Sequence, residues 1–398
     1  MIDGPAPVSW RDAVVHLVEG GHLTGPSDLG RLVAEAAAGT GATVVVYLVD
    51  YEQCGLRPLP PGDGKPEEVD GDGAGEAFRT LRLAPLGASG SGWWVPVVNG
   101  TERLGVIRVV VPAGSDADGV LAGARLLSGA IGHLITSKTP YGDDIERVRR
   151  SRPMSPAAEL LWRLLPPLTF SGRQMAVTAI LEPCYEVGGD AFDYAVNGHR
   201  ARFAIYDGVG HGMRAAVTTA TALGAVRATR RAAGGLEASA AAADTALTSE
   251  FRDARFVTAV LAELDLAEGW LRYLNAGHPP PVLLRRGRAV HTLPGGRRTP
   301  LGVERREVVV AEEAFEPGDR LLLYTDGVTE ARDTADELFG LDRLVELAER
   351  LSGADLPPAE VVRRLSHAVL AHASGPPRDD ATLVLVEWSP AAAQRSVP

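Results

Sequence analysis

The stretch from Gly188 to Gly212 constrains this chain most, because two alternating apolar runs meet there at Asn197-Gly198. Asn and Gly tolerate positive φ at low cost, so the pair predicts a β-hairpin closed by a two-residue type I′ loop. A two-residue loop fixes the register. With Val196 opposite His199, Asp190 falls opposite Ile205, and the period of two along a strand puts Asp207 on the same face. The two carboxylates are then expected as diagonal neighbours, about 7–8 Å apart at Cα. Like charges so placed repel, and the arrangement asks for a divalent cation between them. Gly188 and Gly189 permit close approach of the chain, while Gly208, Gly210 and Gly212 let main-chain groups turn into such a site. Asp and Gly also gather at strand ends as plain turn residues, and at this point that alternative stays open.

Length and composition bound what surrounds the hairpin. A chain of 398 residues holds two or three domains, each able to bury a core. Its 45% hydrophobic and 23% charged content is that of an ordinary globular protein. The sequence shows no run of 18 apolar residues, and Met-Ile-Asp-Gly-Pro-Ala-Pro at its start lacks a basic and then apolar leader. Neither a membrane span nor a signal peptide is expected, and a cytoplasmic location is. Cys54 and Cys184 lie far apart, giving no disulfide framework and no cysteine metal site, so any metal is expected on oxygen. The formal charge of −11 argues against nucleic acid and anionic lipid as partners. The basic clusters at 147–152, 227–231 and 285–288 are short and read as solvated faces.

Along the chain, Ser27 is expected to cap a helix carrying Leu29, Leu32, Val33 and Ala36 and ending at Gly39. Thr43–Val49 reads as a strand, residues 60–75 as a polar loop outside any core, and Trp93–Val98 with Arg103–Val111 as a second hairpin around Asn99-Gly100. Val120–Ile135 has helical apolar spacing. That order, with Thr101-Glu-Arg-Leu-Gly-Val-Ile-Arg-Val-Val-Val after the turn, resembles a GAF sensor domain over residues 1–140. Residues 141–168 read as a helical signalling linker: a charged helix broken at Pro153, then Ser155-Pro156 starting a helix with the stripe Leu160, Leu161, Leu164 and Leu165. The stripe packs on the next domain or on a second copy of the chain, which would make a homodimer. From 169 to 390, paired strands are interrupted by two helical blocks, which predicts an α+β fold of packed sheets with helices outside. The short strands expected there include one at 307–310. Residues 391–398 are expected to be a disordered tail.

Two further acidic sites join the first. Asp326 follows the buried strand Leu321-Leu-Leu-Tyr-Thr, with Gly327 after it, and Asp379-Asp380 precede the strand Thr382–Trp388. If those strands are antiparallel neighbours, the acids meet at one edge. Asp190, Asp207, Asp326 and Asp379 would then form an all-oxygen anionic set suited to Mg²⁺ or Mn²⁺.

Glu182-Pro183, Val187-Gly-Gly-Asp190-Ala-Phe-Asp193-Tyr, Asp207-Gly208-Val-Gly-His211-Gly, Asn275-Ala-Gly-His-Pro-Pro, Tyr324-Thr-Asp326-Gly-Val-Thr-Glu330 and Asp379-Asp380-Ala-Thr follow one another in order. Together they resemble the SpoIIE-type branch of the protein phosphatase 2C (PPM) family across residues 155–388. The resemblance implies a four-layer αββα sandwich with two Mn²⁺ or Mg²⁺ ions at one end of the sheets. Asp207 would bridge both ions, the Gly208 carbonyl would bind one, Asp326 and Asp379 the other, and Asp190 would join directly or through water. The implied reaction is hydrolysis of phosphoserine or phosphothreonine on a partner protein, possible partners including a STAS-type anti-sigma-factor antagonist, by a metal-activated water and without a covalent intermediate.

The arginine that clamps phosphate in eukaryotic relatives has no evident counterpart, and Val209 stands where their histidine follows Asp-Gly. No general acid is assigned: His211 is a candidate, the alternative being a structural role in the glycine turn. Asp193 and Asp380 read as supporting residues, and His278 as a loop-shaping one. A scaffold that binds a partner without hydrolysis is the competing reading. A haloacid-dehalogenase-type site would need a strand-end Asp-x-Asp, which neither Asp207-Gly-Val nor Asp326-Gly-Val supplies.

Overall fold

The computed structural model describes residues 9–87, 91–186, 188–253, 255–303, 309–354, 356–373, 379–389 and 393–398. Its contacts divide the chain into two units, Met1–Arg152 with Ser396–Pro398, and Pro153–Arg395.

The first unit contains α1 (Trp10–Gly21), α2 (Leu29–Ala38), β1 (Thr43–Val49), β2 (Gly55–Pro58), β3 (Glu67–Glu68), α3 (Ala74–Thr80), β4 (Ala84–Pro85), β5 (Gly92–Asn99), β6 (Glu102–Val110), α4 (Ala117–Lys138) and α5 (Asp144–Arg149). One antiparallel sheet runs β3-β2-β1-β6-β5-β4. Because side chains alternate along a strand, Val44, Val46 and Leu48 of β1 pack with α1, α2 and α4, while Val45, Tyr47 and Val49 pack with α3 on the other face. A 3-10 turn at Pro26–Asp28 places Asp28, not Ser27, before α2. The expected polar loop over 60–75 is corrected: Glu67–Glu68 pairs with β2, Val69 is fully buried, and α3 begins at Ala74. One apolar residue anchors a polar segment there, a pattern composition does not reveal. The helical stretch Ala117–Tyr141 is long and apolar enough to cross a membrane by length and composition alone. Val120, Ala124, Leu127, Ile131 and Ile135 on it are buried in the core of this unit.

The second unit begins with α6 (Pro156–Leu164), β7 (Thr169–Ser171), β8 (Met175–Glu182), β9 (Asp190–Asn197), β10 (Arg200–Gly208), α7 (Gly212–Arg231) and α8 (Leu236–Glu250). It continues with β11 (Val257–Asp265), β12 (Trp270–Ala276), β13 (Val282–Arg285), β14 (Arg288–Thr292), β15 (Arg297–Arg298), β16 (Ala311–Ala314), β17 (Arg320–Tyr324), α9 (Asp326–Thr329), α10 (Leu341–Ser352), α11 (Pro358–His372) and β18 (Ala381–Trp388). Of the strand expected at 307–310, residues 307 and 308 lie outside the described residues, and Val309 and Val310 precede β16 without joining it. One sheet runs β15-β12-β11-β10-β9, with β16 beside β12, and the other runs β14-β13-β17-β18-β8-β7.

Three cores separate four layers. Phe192, Phe203, Ile205, Val260 and Ala262 meet Val177, Ala179, Leu321, Leu323, Val384 and Val386 between the sheets. The opposite face of the first sheet packs on α7 and α8 through Tyr206, Leu261, Leu223 and Ala243. The opposite face of the second packs on α10 and α11 through Ile180, Leu322, Leu385, Leu344 and Leu365. This is the αββα sandwich.

Helix α6 starts as expected, with the Ser155 hydroxyl accepting from the Ala158 amide and Pro156 at the first position. Of the leucine stripe only Leu161 is fully buried, beside Ala157 and Ala158 in the core between the sheets, while Leu160 and Leu165 pack at its margin. In place of a wholly disordered tail, Ala393–Arg395 forms a 3-10 turn, held where Arg395 pairs with buried Glu387.

Candidate metal centre at the strand ends

The hairpin forms, but its register differs from the expected one. Asn197 pairs with Arg200, leaving Gly198-His199 as the loop, and Asp190 stands directly opposite Asp207. The other hairpin does the same, with Asn99 paired to Glu102 around Gly100-Thr101. In both, only the glycine takes positive φ, 60° at Gly198 and 59° at Gly100. A type I′ loop needs two such residues, whereas a type II′ loop needs one at its first position, so the loop starts at Gly and not at Asn. The change brings the acids closer. The Gly208 amide donates to the Gly189 carbonyl at 3.0 Å, so the next pair, Asp190 and Asp207, is of the non-hydrogen-bonded type, with Cα atoms about 4.5 Å apart. Both share the face of Phe192 and Ile205, which looks toward the second sheet.

The second sheet delivers its acids to the same end. Strands β17 and β18 are antiparallel neighbours, Tyr324 opposite Leu383, so the end of one and the start of the other lie side by side. Asp326 opens α9 at that point. Asp380 turns back to the first sheet: its Oδ2 accepts from the amides of Gly188, Gly189 and Asp190 at 2.8, 2.6 and 3.2 Å. A carboxylate receiving three amides ties the sheets together where the acids gather, and leaves Asp379 exposed beside it. Thr325 makes a second tie. Its hydroxyl accepts from the Thr382 amide at 2.8 Å and donates to Asp190 Oδ2 at 2.8 Å.

Glycine is required at two of these contacts. A Cβ on Gly188 would lie 2.5 Å from the Gly212 amide nitrogen, and one on Gly327 would lie 2.0 Å from the Asp380 carbonyl oxygen. Val187 and Arg378, which flank these segments, lie outside the described residues.

The electrostatics follow from this crowding. Burial first, then Asp326, Asp379 and Asp380, push the Asp207 carboxyl up to about 7. Burial, then Asp380 and Asp207, raise Asp190 well above the ordinary carboxylate range. Asp379 is raised by burial and then by Asp326, Asp380 and Glu330. Asp380 is raised by burial despite its three amides. Carboxylates that raise one another in this way favour a cation, and a donor set made only of oxygen suits a hard divalent ion. The fold fixes the convergence of the strand ends and not a closed shell: among the described residues, no three Asp, Glu, His or Cys side chains stand as a ready metal-ligating group.

The remaining candidates divide. His211 is exposed at the N-cap position of α7 and makes no capping hydrogen bond. Asp193 faces α7, where Arg227 and Arg230 pair with it at 2.7 and 3.1 Å, and so fixes the helix on the sheet. Thr219 of the same helix donates to the Gly189 carbonyl at 2.6 Å. His278 is buried, with Nδ1 2.7 Å from the Thr258 hydroxyl. Sequence reasoning missed Thr219, Thr258 and Thr325. Thr325, beside Asp326, carried the available signal; Thr219 on α7 and Thr258 on β11 have no aspartate next to them, and only the packing turns them into contacts.

Residues 197–389 match the family described as Stage II sporulation protein E (SpoIIE). The second unit carries a SpoIIE-type domain of the PP2C phosphatase family. Over 134 residues the chain is 30% identical to Protein IcfG of Synechocystis sp., covering 33% of this chain and 21% of that protein. Over 222 residues it is 29% identical to Phosphoserine phosphatase RsbP of Bacillus subtilis, covering 54% of this chain and 52% of that one. The chain therefore spans about a fifth and about half of these two relatives. The SiaA-PP2C domain of Pseudomonas aeruginosa superposes with a TM-score of 0.50 at 22% identity, covering 58% of this chain and 94% of that one, and shares the fold.

Proposed function

We propose that the SpoIIE-type domain is a phosphoprotein phosphatase that hydrolyses phosphoserine or phosphothreonine on a regulatory partner, with two Mn²⁺ or Mg²⁺ ions at the strand ends. The observation that carries this is the convergence of Asp190 and Asp207, on β9 and β10, with Asp326 and Asp379, at the ends of β17 and β18, at one edge. The name of the relative RsbP, a phosphoserine phosphatase, supports the substrate class.

In this reading Asp207, Asp190 and the Gly208 carbonyl would hold the ions from the first sheet, and Asp326 and Asp379 from the second. Bound there, such ions supply the Lewis acidity that makes water nucleophilic near neutral pH and offsets charge on the phosphoryl oxygens. Asp380 and Thr325 do not bind the ions in this reading; they hold the two strand ends together. His211, exposed at the start of α7, protonates the leaving serine oxygen. His211→Gln should therefore slow turnover of a phosphoserine peptide more than that of p-nitrophenyl phosphate, whose leaving group needs no proton, and equal slowing would remove it from this role.

For the partner, the reading is an anti-sigma-factor antagonist of the STAS type, and the first unit is read as a GAF-like regulatory module. Comparing phosphoproteomes with and without the gene tests the partner: phosphoserine should accumulate on such an antagonist, and no accumulation on any antagonist counts against it. A binding scaffold without activity is disfavoured, since nothing in partner binding requires four aspartates held together against their own repulsion.

A further inference from the structure

We infer that His278 is a positioning residue for Asp207, acting through the hydroxyl of Thr258; the inference rests on the reading of Asp207 as a metal ligand.

Asp207 and Thr258 are directly paired across β10 and β11, on the face that looks toward the second sheet. The Thr258 Oγ1 lies 3.5 Å from Asp207 Oδ2 and 2.7 Å from His278 Nδ1. The backbone of His278 is held by Asn275. The His278 amide donates to Asn275 Oδ1 at 2.8 Å, and Asn275 Nδ2 donates to the His278 carbonyl at 2.9 Å. Gly277, at φ 73°, turns the chain between them, and a Cβ there would lie 2.8 Å from the Pro300 ring. Asn275 sits on β12, so the chain Asn275, His278, Thr258, Asp207 crosses three neighbouring strands to the site edge.

Donor and acceptor roles set the direction of this chain. An ionised carboxylate only accepts, so Thr258 donates to Asp207 and its oxygen is left to accept from His278 Nδ1–H. Nε2 then carries the lone pair. It faces the Tyr324 backbone, which would favour a proton on Nε2, yet it completes no hydrogen bond of normal geometry there. The Nδ1–H tautomer is therefore the one this inference assigns to His278. It fixes one oxygen of Asp207 and leaves the rest of that carboxylate directed at a cation, as outer hydrogen bonds do for metal ligands generally.

The test is Mn²⁺ binding to the full chain, read from the electron paramagnetic resonance signal of free Mn²⁺, with circular dichroism to verify folding. Thr258→Val, which keeps the shape and removes the hydroxyl, should weaken binding by about 10-fold or more. His278→Leu should do the same, and the double variant should be no weaker than either single one, because both break one chain. Thr258→Ser and His278→Asn, each able to restore the hydroxyl or the N–H donor, should stay within about 3-fold of wild type on the same scale. Wild-type affinity in Thr258→Val overturns the proposal, whatever happens to the folding of His278→Leu. If Asp207→Asn binds Mn²⁺ as the wild type does, the ligand reading itself fails, and the positioning role falls with it.

Discussion

At Asp207 the stability and the activity of the molecule are set against each other. Its carboxyl is pushed up to about 7 by burial and by the neighbouring acids, against an unfolded value of about 3.9. A raised acid binds its proton more tightly when folded, so its ionisation costs stability as pH rises from about 4 through about 7. Asp207→Asn removes that cost. In chelated protein the variant should melt higher than wild type at pH 8 and level with it near pH 4, while its Mn²⁺-dependent turnover falls about 100-fold or more. A lower melting point at pH 8 would give Asp207 a structural role instead. His278 titrates in the opposite sense. Burial pushes its ring down to about 3. The folded protein refuses a proton that the unfolded chain takes below about pH 6.5, so this histidine's contribution is whole above that pH and falls below it by up to about 1.4 kcal/mol per pH unit. His278→Asn should flatten the fall in melting temperature between pH 6 and 4, and a slope parallel to wild type would contradict the assignment. The strand-end aspartates were legible as residues because Asp-Gly after an apolar run is a local pattern. Which of Asp379 and Asp380 turns inward was not legible, since three amides at 188–190, far away in sequence, decide it.

Among the elements, the hairpin β9-β10 was legible and its register was not. Asn-Gly announces a turn, but whether the loop begins at Asn or at Gly depends on how many residues take positive φ, and here only Gly198 does. That one-residue difference in where the loop starts turns diagonal acids into facing ones. Packed sheets with helices outside were legible from strands in pairs between helical blocks, and the four-layer αββα form from the family resemblance, whereas β3 and the buried Val69 were hidden by their polar surroundings. The contact between α9 and β18 carries a prediction at this scale. Gly327→Ala would place a methyl carbon against the Asp380 carbonyl, a backbone atom with little room to yield. Overpacking of this kind costs about 1–3 kcal/mol, and here it also parts Asp326 from Asp379. Thermal unfolding should show the loss, together with weaker Mn²⁺ binding, and an alanine variant with wild-type values of both would mean the strand ends are not held this tightly.

For the whole molecule, the boundary lies within the expected linker, between Arg152 and Pro153. Helix α6 belongs to the second unit: Ala157, Ala158 and Leu161 are buried in its core, the Ser155 amide donates to the Tyr185 carbonyl at 2.8 Å, and Trp162 Nε1 donates to the Cys184 carbonyl at 2.7 Å. A fragment starting at Pro153 should therefore fold and keep its metal-dependent activity, while one starting at Leu168 should lose several kcal/mol from three uncovered core residues and aggregate or unfold near 37 °C. Equal stability of the two fragments would make α6 a passive tether. The central claim concerns the four aspartates, and phosphate release from a phosphoserine peptide tests it most directly, measured with Mn²⁺ and with chelator for wild type, Asp326→Asn and Asp379→Asn. The account predicts turnover by wild type only when Mn²⁺ is present and its loss in both folded variants; wild-type turnover in either variant at saturating Mn²⁺, or turnover by wild type in chelator, would contradict it.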